Sequence, residues 1–588
     1  MSVENIITEN LDIWTSTIKT KLASGRGSSN KFELYGIKKL RELILDLAMR
    51  GKLILPEKGD GSVDTLLDLI EQEKVQLTKS KQIKKPKIQP VSGLEDIPFN
   101  LPTGWQWVRL GTIGTIFNGN SVNATQKEEK YTGLDCGLPY IATKDVGYGF
   151  TELDYDNGVL IPHDEPKFKV ARAGAVLICA EGGSAGKKCG LASRDICFGN
   201  KLFANQLYGN ISPKFILYCY LSPFFYSLFT ESMTGIIGGI SATKFNELLI
   251  PLPPLSYQKR LVQKVDKLMH LCDLIESQTE ASIEAHQTLV ESLLDSLTNA
   301  KNADELNDSW QRISEHFDVL FTTEDSIDQL KQTILQLAVM GKLVKQDPSD
   351  EPALKMLERI AAEREQLIKD KKTKKVKSNN QIENSAFPFD APKGWQSIYC
   401  EEAADPKTVI TYGILKPVWK SDGVPTLRIQ DMVNGNISDK NVGYCCEERA
   451  SKFEKTKLKK GDLLIAKDGA TLGKTAFVPE HYEGGNITQH VLRFSISRFL
   501  DAEFIRLVID SPIGQQFMKG ETKGVALPGV NVGDFRKMVI MLPPLNEQKR
   551  IVAKVQKLTK LLTALSHKIS KSTKTKVLLS SSMVNTIS

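Results

Sequence analysis

The sequence predicts an α+β protein in which two mixed α/β domains are joined by two long antiparallel coiled-coil helices, as a pseudo-twofold internal duplication. Three observations predict this fold. Three separated segments recur at a common offset of 290 residues, and each copy ends in a heptad-patterned stretch that follows a Pro-Pro pair. Between the shared segments, short β-rich runs are broken by glycine, asparagine and aspartate, as is typical of domains that contain sheets.

The repeat covers nearly the whole chain, because twice 290 is 580 of the 588 residues. The paired segments are 38–53 with 328–343, 102–106 with 392–396, and 251–268 with 541–558. The last pair is identical at 12 of 18 positions. Inside the copies the offset changes to 287, where 173–187 matches 460–474, so insertions and deletions have accumulated between fixed flanks. This pattern indicates two related domains with different ligands, or else drift without functional meaning.

Five regions follow from this organisation. We predict an N-terminal helical region with a basic linker, a first mixed domain, a central helical spacer with a second basic linker, a second mixed domain and a C-terminal coiled-coil helix. Their predicted bounds are 1–97, 98–253, 254–387, 388–543 and 544–588. The lysine-rich stretches at 79–87 and 369–377 are interpreted as exposed linkers, or as segments that lie near a polyanion.

The first shared segment predicts a helix in each copy. Apolar residues at Ile37, Leu40 and Ile44 step by three and four, and Gly51 provides a stop signal, as Gly341 does in the second copy.

The Pro-Pro pairs precede two helices of about 40 residues, which is roughly 60 Å at 1.5 Å per residue. We predict that these helices begin just after Pro254 and Pro544, with Ser256 and Asn546 as N-caps. The alternative to mutual pairing is that each amphipathic helix packs on its own domain. The predicted seam positions are Leu261, Val265, Leu268, Cys272, Ile275, Val290, Leu293 and Leu297 in the first helix, and Ile551, Val555, Leu558, Leu562, Leu565 and Ile569 in the second.

Composition excludes several classes of protein. The formal net charge of +7 permits a nucleic-acid partner without requiring one. The N-terminus has no basic and apolar signal pattern, and the most apolar stretch, 215–229, is too short for a membrane span. The nine cysteines are scattered and form no Cys-x-x-Cys pair, so we expect a cytoplasmic protein with no membrane contact.

No catalytic constellation is convincing. Gly469 to Thr475 is one residue short of a phosphate-binding loop and lies between apolar β-like runs, so a tight β-turn is the favoured interpretation. A lysine in that turn could still contact a DNA phosphate. A nucleotide loop in an ATP-dependent enzyme is the alternative. We also find no metal-spaced His/Cys cluster.

Three motifs together resemble one known family. They are Pro-x-Gly-Trp at 102–105 and 392–395, a Gly-x3-Gly-Lys turn at 182–187 and 469–474, and Leu-Pro-Pro-Leu-x-x-Gln-Lys-Arg at 252–260 and 542–550. The combination resembles the specificity subunit of type I restriction–modification systems, in the class with an extended N-terminal region. The resemblance covers most of the chain.

The resemblance implies two target recognition domains and no catalytic residue in this chain. It implies that each domain reads one half of an asymmetric bipartite sequence in double-stranded DNA, while the helical spacers set the gap and dock modification subunits. It also implies a complex with two modification (methyltransferase) and two restriction (endonuclease) subunits. S-adenosylmethionine, ATP and Mg²⁺ would be used by those partners, and this chain would hold no cofactor or metal. The rival hypothesis is a two-domain protein scaffold that never binds DNA.

The DNA-contacting residues are predicted from polar side chains in turns and loops. His490 is a candidate because Gln489 and His490 align with Asn200 and Lys201 of the first domain. Different polar pairs at matching positions suit different base edges. Buried or incidental polar residues are the alternative. The candidates are Asn118, Asn120, Lys144, Lys187 and Lys244 in the first domain, and Lys407, Arg428, Lys467, Lys474 and His490 in the second.

Overall fold

The computed structural model describes residues 8–20, 32–81, 83, 97–234, 238–371, 382, 389, 391–520 and 529–587. The chain forms two compact units: Met1–Ser282 with Ser572–Ser588, and Ile283–Lys571. The end of the chain therefore returns to the unit in which the chain begins. Most of the two predicted basic linkers lies outside the described residues.

The N-terminal region of the first unit is mainly helical. Its elements are α1 (Leu11–Ser16), β1 (Lys19–Thr20), β2 (Phe32–Glu33), α2 (Tyr35–Met49) and α3 (Val63–Lys79). The apolar residues that predicted α2 from their spacing, Ile37, Leu40 and Ile44, are buried. Tyr35 of this region lies beside the last helix of the chain, with its hydroxyl 3.1 Å from Ser581 Oγ.

The first mixed domain contains two four-stranded sheets. Its elements are β3 (Gln106–Arg109), α4 (Leu110–Ile113), β4 (Gly114–Asn118), α5 (Ala124–Lys130), β5 (Leu138–Ile141), β6 (Leu160–Ile161), β7 (Val170–Ala171), β8 (Val176–Cys179), β9 (Cys189–Leu191), β10 (Ile196–Phe198), β11 (Leu202–Leu207), α6 (Pro213–Leu221), α7 (Pro223–Glu231), α8 (Ala242–Glu247) and β12 (Leu249–Leu252). One sheet has the antiparallel order β4-β11-β8-β9, and the other has the order β6-β5-β10-β7 around a parallel β5–β10 pair. The domain is closed by its first and last strands, because β3 pairs antiparallel with β12.

A long helix leads from the first unit into the second. It is α9 (Leu255–Asn299), followed by α10 (Ala303–Glu315), α11 (Phe317–Leu320), α12 (Glu324–Val339) and α13 (Ala353–Lys369). Helices α12 and α13 repeat α2 and α3 at matching positions of the second copy.

The second mixed domain repeats the plan of the first. Its elements are β13 (Gln396–Tyr399), β14 (Thr411–Tyr412), β15 (Trp419–Lys420), β16 (Val424–Leu427), β17 (Met432–Val433), β18 (Asn436–Ile437), β19 (Gly443–Cys445), α14 (Glu447–Ser451), β20 (Leu463–Ala466), β21 (Thr475–Phe477), β22 (Asn486–Ile487), β23 (Val491–Phe494), α15 (Ala502–Asp510), α16 (Pro512–Gly520), α17 (Val532–Arg536) and β24 (Val539–Leu542). Its first sheet, β14-β23-β20-β21, has the same strand order as its counterpart, and β13 pairs with β24 to close the domain. The other sheet, β15-β19-β16-β22, keeps the parallel pair but differs in its outer strands. The two domains therefore diverge most in this second sheet.

The chain ends with α18 (Leu545–Ile587). Helix α9 starts in the first unit and ends in the second, whereas α18 starts in the second and ends in the first, so the two helices run in opposite directions. In the second unit, Leu297 and Val555 belong to one hydrophobic core that also contains Leu337, Trp395 and Phe504. The predicted α+β duplication with two long antiparallel helices is confirmed.

The three shared segments of each copy meet at one junction. Gly51 has a φ of +66°, and a side chain there would collide with Pro102 and Trp105. The rings of Trp105 and Tyr257 lie 5.0 Å apart, and the Tyr257 hydroxyl donates to Ile54 O at 2.7 Å. The motifs recur at one offset because they pack against one another.

The junction of the second copy has an acid at one buried position. Gly341 faces Pro392 and Trp395 in the same way, with a φ of +72°, but Glu547 occupies the place of Tyr257. Burial raises the pKa of the Glu547 carboxyl, and the nearby Trp395 indole and Gln346 amide offset this only in part. The shared scaffold therefore tolerates a buried acid in place of an aromatic ring.

The predicted N-caps are wrong. Both Ser256 and Asn546 lie inside their helices, which begin one residue earlier. The Ser256 hydroxyl instead donates to Asp60 O at 2.6 Å. The prediction failed because Pro254 itself caps the helix through its carbonyl, which accepts from the Gln258 amide at 2.9 Å.

Candidate nucleic-acid interface

The Gly-x3-Gly-Lys segments form tight turns between antiparallel strands in both domains. In the second domain the turn joins β20 to β21, and the amide of Gly473 donates back to Ala466 O at 2.8 Å. The amides of Leu472 and Lys474 also donate to carbonyls within the turn, and the first domain has the equivalent three bonds from Ala185, Gly186 and Lys187. Because these amides are already used and a strand follows the turn, neither segment is a nucleotide-phosphate loop.

Three of the predicted residues of the second domain converge on one cleft of about 590 Å³, which we name the His490 cleft. It brings Arg428, Lys474 and His490 together from separate loops. Its lining is Lys416, Pro417, Trp419, Arg428, Ile429, Gln430, Thr471, Lys474, Thr488, Gln489 and His490. The cleft combines hydrogen-bond donors and acceptors with an aromatic ring, which is the chemistry needed to contact base edges.

His490 is held in one orientation by its neighbours. Its Nδ1 lies 2.8 Å from Asp468 Oδ2, and its Nε2 lies 3.1 Å from Gln489 Nε2. Because a carboxylate only accepts, the Nδ1–H of the imidazole donates to Asp468. Lys467 joins the same group, because its Nζ donates to Asp468 Oδ2 at 2.8 Å.

Arg428 is fixed between an acid and an aromatic ring. Its Nε donates to the buried Asp431 at 3.2 Å, and its guanidinium lies 5.4 Å from the centre of the Trp419 ring. Trp419 is 44% exposed, and its ring packs where a side chain on Gly443 would collide with it. A half-exposed indole next to an ordered guanidinium can stack on a base or a sugar.

Lys407 is separated from this group. It lines another cavity of the second domain, on the loop between Cys400 and Ile410. The structure therefore brings together Arg428, Lys474 and His490, places Lys467 next to them through Asp468, and leaves Lys407 elsewhere.

In the first domain, Lys144 and Lys187 flank a polar cluster at the equivalent turn. Lys188 Nζ donates to Thr143 O at 3.0 Å and lies 5.1 Å from the centre of the Tyr148 ring. The Tyr148 hydroxyl is 3.2 Å from Ser184 Oγ. The cluster thus connects the turn to the segment that follows β5.

The remaining predicted residues of the first domain lie at other places. Asn118 and Asn120 both contact Lys169: its Nζ donates to Asn118 Oδ1 at 3.2 Å, and its amide donates to Asn120 Oδ1 at 3.0 Å. Lys244 is exposed in α8, where its amide is capped by Ser241.

Sequence reasoning missed several residues of these clusters. Trp419 and Gln430 line the His490 cleft, and Tyr148 and Lys188 border the turn of the first domain. The strand pairing agrees with the sequence alignment of Lys201 with His490, because the Lys201 carbonyl accepts from the Ala180 amide as the His490 carbonyl accepts from the Lys467 amide. An exposed lysine therefore stands in the first domain where the second has His490.

The described residues contain neither a group of acidic, histidine and cysteine side chains that could hold a metal ion nor a helix long and apolar enough to cross a membrane.

Comparison with known proteins identifies the family. The type I restriction modification DNA specificity domain matches residues 102–285 and 412–574, which is more than half of the chain. The chain belongs to the specificity subunits of type I restriction enzymes. The EcoAI specificity subunit of Escherichia coli is 35% identical over 606 aligned positions, covering 100% of this chain and 99% of the relative. The EcoEI specificity subunit of the same species is 32% identical, again over 100% and 99% of the two chains.

A solved structure agrees in fold with this specificity subunit. A chain from a study of complex assembly and conformational transition of the type I restriction–modification system superimposes with a TM-score of 0.50 at 17% identity. The match covers 83% of this chain and 99% of that one. The resemblance drawn from the three sequence motifs is confirmed.

Proposed function

We propose that this specificity subunit reads an asymmetric, two-part sequence in double-stranded DNA, with one half read by each mixed domain. The main support for the proposal is that equivalent turns and strands of the two domains have different polar side chains. At matching positions the second domain has His490 where the first has Lys201, whereas both domains keep an acid in the turn, Asp468 and Glu181. Different donors and acceptors on one scaffold recognise different base edges.

In the second domain, the His490 cleft is the proposed base-reading surface. Arg428 and Lys474 supply donors, and Gln430 and Gln489 supply amides that can pair with a base edge. Lys467 neutralises Asp468, so the acid can orient His490 without repelling DNA. In the first domain we assign the same role to the turn that carries Lys187, with Lys144 and Lys201 beside it.

The two long helices are proposed to set the distance between the half-sites and to dock modification subunits. Leu271 and Leu561 stand at matching positions of α9 and α18 and are exposed, whereas the next residues, Cys272 and Leu562, are buried. Paired exposed leucines on two equivalent helices suit two copies of one partner.

The remaining roles are assigned to partner subunits. We propose that this chain is non-catalytic and acts in the cytoplasm, with two modification subunits that methylate adenine from S-adenosylmethionine. Two restriction subunits that use ATP and Mg²⁺ complete the proposed complex.

A domain exchange tests the proposal. Residues 98–253 would be replaced by the matching region of a related subunit, and the methylated motif would be read by methylome sequencing in cells that carry the modification partner. The expected result is a change in one half of the motif only, because β3 and β12 pair and bring the two ends of the domain side by side.

The matched control exchanges 388–543, which should change the other half. Changes in both halves after a single exchange would rule out modular reading. A chain that shows no binding to duplex DNA, with or without its modification partner, would instead support a protein scaffold.

A further inference from the structure

A cavity of about 710 Å³ opens in the second mixed domain, outside the His490 cleft, and we name it the Arg493 cavity. Six basic and three acidic side chains line it, which leaves a formal charge of +3. The basic residues are Arg364, Lys407, Lys455, Lys457, Lys459 and Arg493, and the acidic residues are Glu401, Glu454 and Glu483.

Arg493 lies at the base of the cavity and is only 4% exposed. Its Nη1 donates to Lys457 O at 2.6 Å, but its buried Nε has no hydrogen-bond partner among the described residues. The nearest carboxylate oxygen, Asp462 Oδ2, is 3.9 Å from Nε and already accepts from the Lys459 amide at 2.9 Å. Burial lowers the pKa of the Arg493 guanidinium. The carboxylates of Asp462 and Asp405 offset this lowering only in part, and the Nε–H remains without an acceptor among the described residues.

The lysines around the opening are exposed. Within the described part of the chain, no ion pair involves the ammonium groups of Lys407, Lys455, Lys457 or Lys459. The adjacent Lys460, which does not line the cavity, pairs with Glu480 at 2.6 Å. The unpaired charges of this segment are therefore concentrated at the cavity.

The first domain lacks two parts of this cavity, the longer loop that carries Lys407 and the arginine at the base. The Leu110 amide donates to Leu248 O as the Cys400 amide does to Met538 O, at an offset of 290. Further on, the Asn120 amide donates to Phe198 O as the Ile414 amide does to Ile487 O, which gives an offset of 294. The second copy thus has four extra residues here, in the loop that carries Lys407.

The register of the first sheet shows what replaces Arg493. Arg493 pairs with Leu464, and Ala204 pairs with Leu177, the counterpart of Leu464. A four-residue insertion and an alanine-to-arginine difference therefore coincide at one place in the second copy.

We propose that the Arg493 cavity binds a phosphoryl anion, supplied by a phosphate of the DNA backbone or by a small phosphate compound. The planar guanidinium offers several N–H groups to phosphate oxygens, and mobile ammonium groups add charge around it. The proposal extends beyond sequence reading and does not depend on it, because the site can be titrated without DNA.

The test is a titration of inorganic phosphate into the full-length chain at low ionic strength, followed by ³¹P NMR line width and calorimetry. Saturable binding is expected for the wild type. The double variant Lys407→Gln, Lys455→Gln should bind about tenfold more weakly, equal to about 1.4 kcal/mol. The matched control Lys460→Gln removes one charge of the same segment outside the cavity and should leave binding unchanged.

Arg493→Ala, which copies the residue of the first domain, should abolish binding; if this variant unfolds, the lysine variants alone decide. A competition with sheared duplex DNA identifies the source of the anion. Displacement of phosphate by DNA assigns the cavity to the DNA backbone, and simultaneous binding assigns it to a small phosphate compound. An absence of saturable phosphate binding, or equal binding by the lysine double variant, would overturn the proposal.

Discussion

At the residue scale, the glutamine of the Leu-Pro-Pro-Leu-x-x-Gln-Lys-Arg motif joins each long helix to its mixed domain through hydrogen bonds. Gln258 is fully buried, donates to Pro253 O at 2.9 Å and accepts from the Ser212 amide at 3.0 Å. Gln548 repeats both bonds with Pro543 and Asp501. The glutamine therefore ties the first turn of the helix to a helix of the mixed domain, which accounts for its presence in both copies.

We predict that Gln258→Leu destabilises the first unit. Leucine fills a similar volume but leaves the Ser212 amide and the Pro253 carbonyl buried without partners, at a cost of about 1–3 kcal/mol in free energy of unfolding. Urea denaturation of the full chain measures this loss. The neighbouring Lys259→Ala is the matched control, because Lys259 is exposed and its loss should change the midpoint little. Equal stability of the wild type and Gln258→Leu would contradict the assigned role.

Residues with local signals could be predicted from the sequence, and residues defined by distant contacts could not. Gly51 and Gly341 end their helices as predicted, because a left-handed backbone position favours glycine in any context. Ser256 satisfies the local pattern of an N-cap but is recruited by Asp60, which is 196 residues away. Trp419 and Gln430 reach His490 only through the fold of the domain, so no local pattern identifies them.

At the scale of elements, the periodicity of apolar residues predicted α9 and α18 well. Most of the predicted seam is buried, including Leu261, Val265 and Leu268 of α9 and Ile551 and Val555 of α18. The pairing of β3 with β12 was not predictable, because it joins segments about 140 residues apart and each is only four residues long. Strand partners depend on the fold of everything between them.

The length of the two helices leads to a prediction about the unread gap between the two DNA half-sites. One heptad inserted after Ser282 in α9 and another after Lys571 in α18 lengthens both helices by about 10.5 Å, or roughly three base pairs at 3.4 Å each. Seven residues are nearly two helical turns, so the apolar seam is retained. We expect the unread gap in the methylated motif to lengthen by about three base pairs, or methylation to be lost if the domains no longer face one side of the duplex.

Methylome sequencing measures the result. The control replaces seven residues at the same places without changing the length and should leave the motif unaltered. An unchanged gap in the lengthened chain would show that the helices do not determine spacing.

At the scale of the molecule, the duplication gives both copies the same junctions, and sequence divergence is concentrated in the mixed domains between them. Each mixed domain is closed by its own first and last strands, β3 with β12 and β13 with β24. Changes within a domain therefore need not disturb its junction with the helices. The His490 cleft lies within these variable regions, and so does the Arg493 cavity apart from Arg364 of α13, whereas the Gly51 and Gly341 junctions lie in the shared flanks.

The return of the chain to its first unit predicts that the chain tolerates circular permutation. Residues 572–588 belong to the same unit as the start of the chain, and Tyr35 lies 3.1 Å from Ser581. A permutant that begins at Pro98 and carries residues 1–97 after residue 588, through a short Gly/Ser linker, keeps this contact and the β3–β12 pair. We expect the same methylated motif and a Tm that falls by only a few degrees, about the effect of 1–2 kcal/mol in a unit of this size. A control permutant that is opened within α9, after Ser282, interrupts a long helix and should no longer support methylation of the motif. If the Pro98 permutant is instead as impaired as that control, the contact between the two ends of the chain does not hold the first unit together.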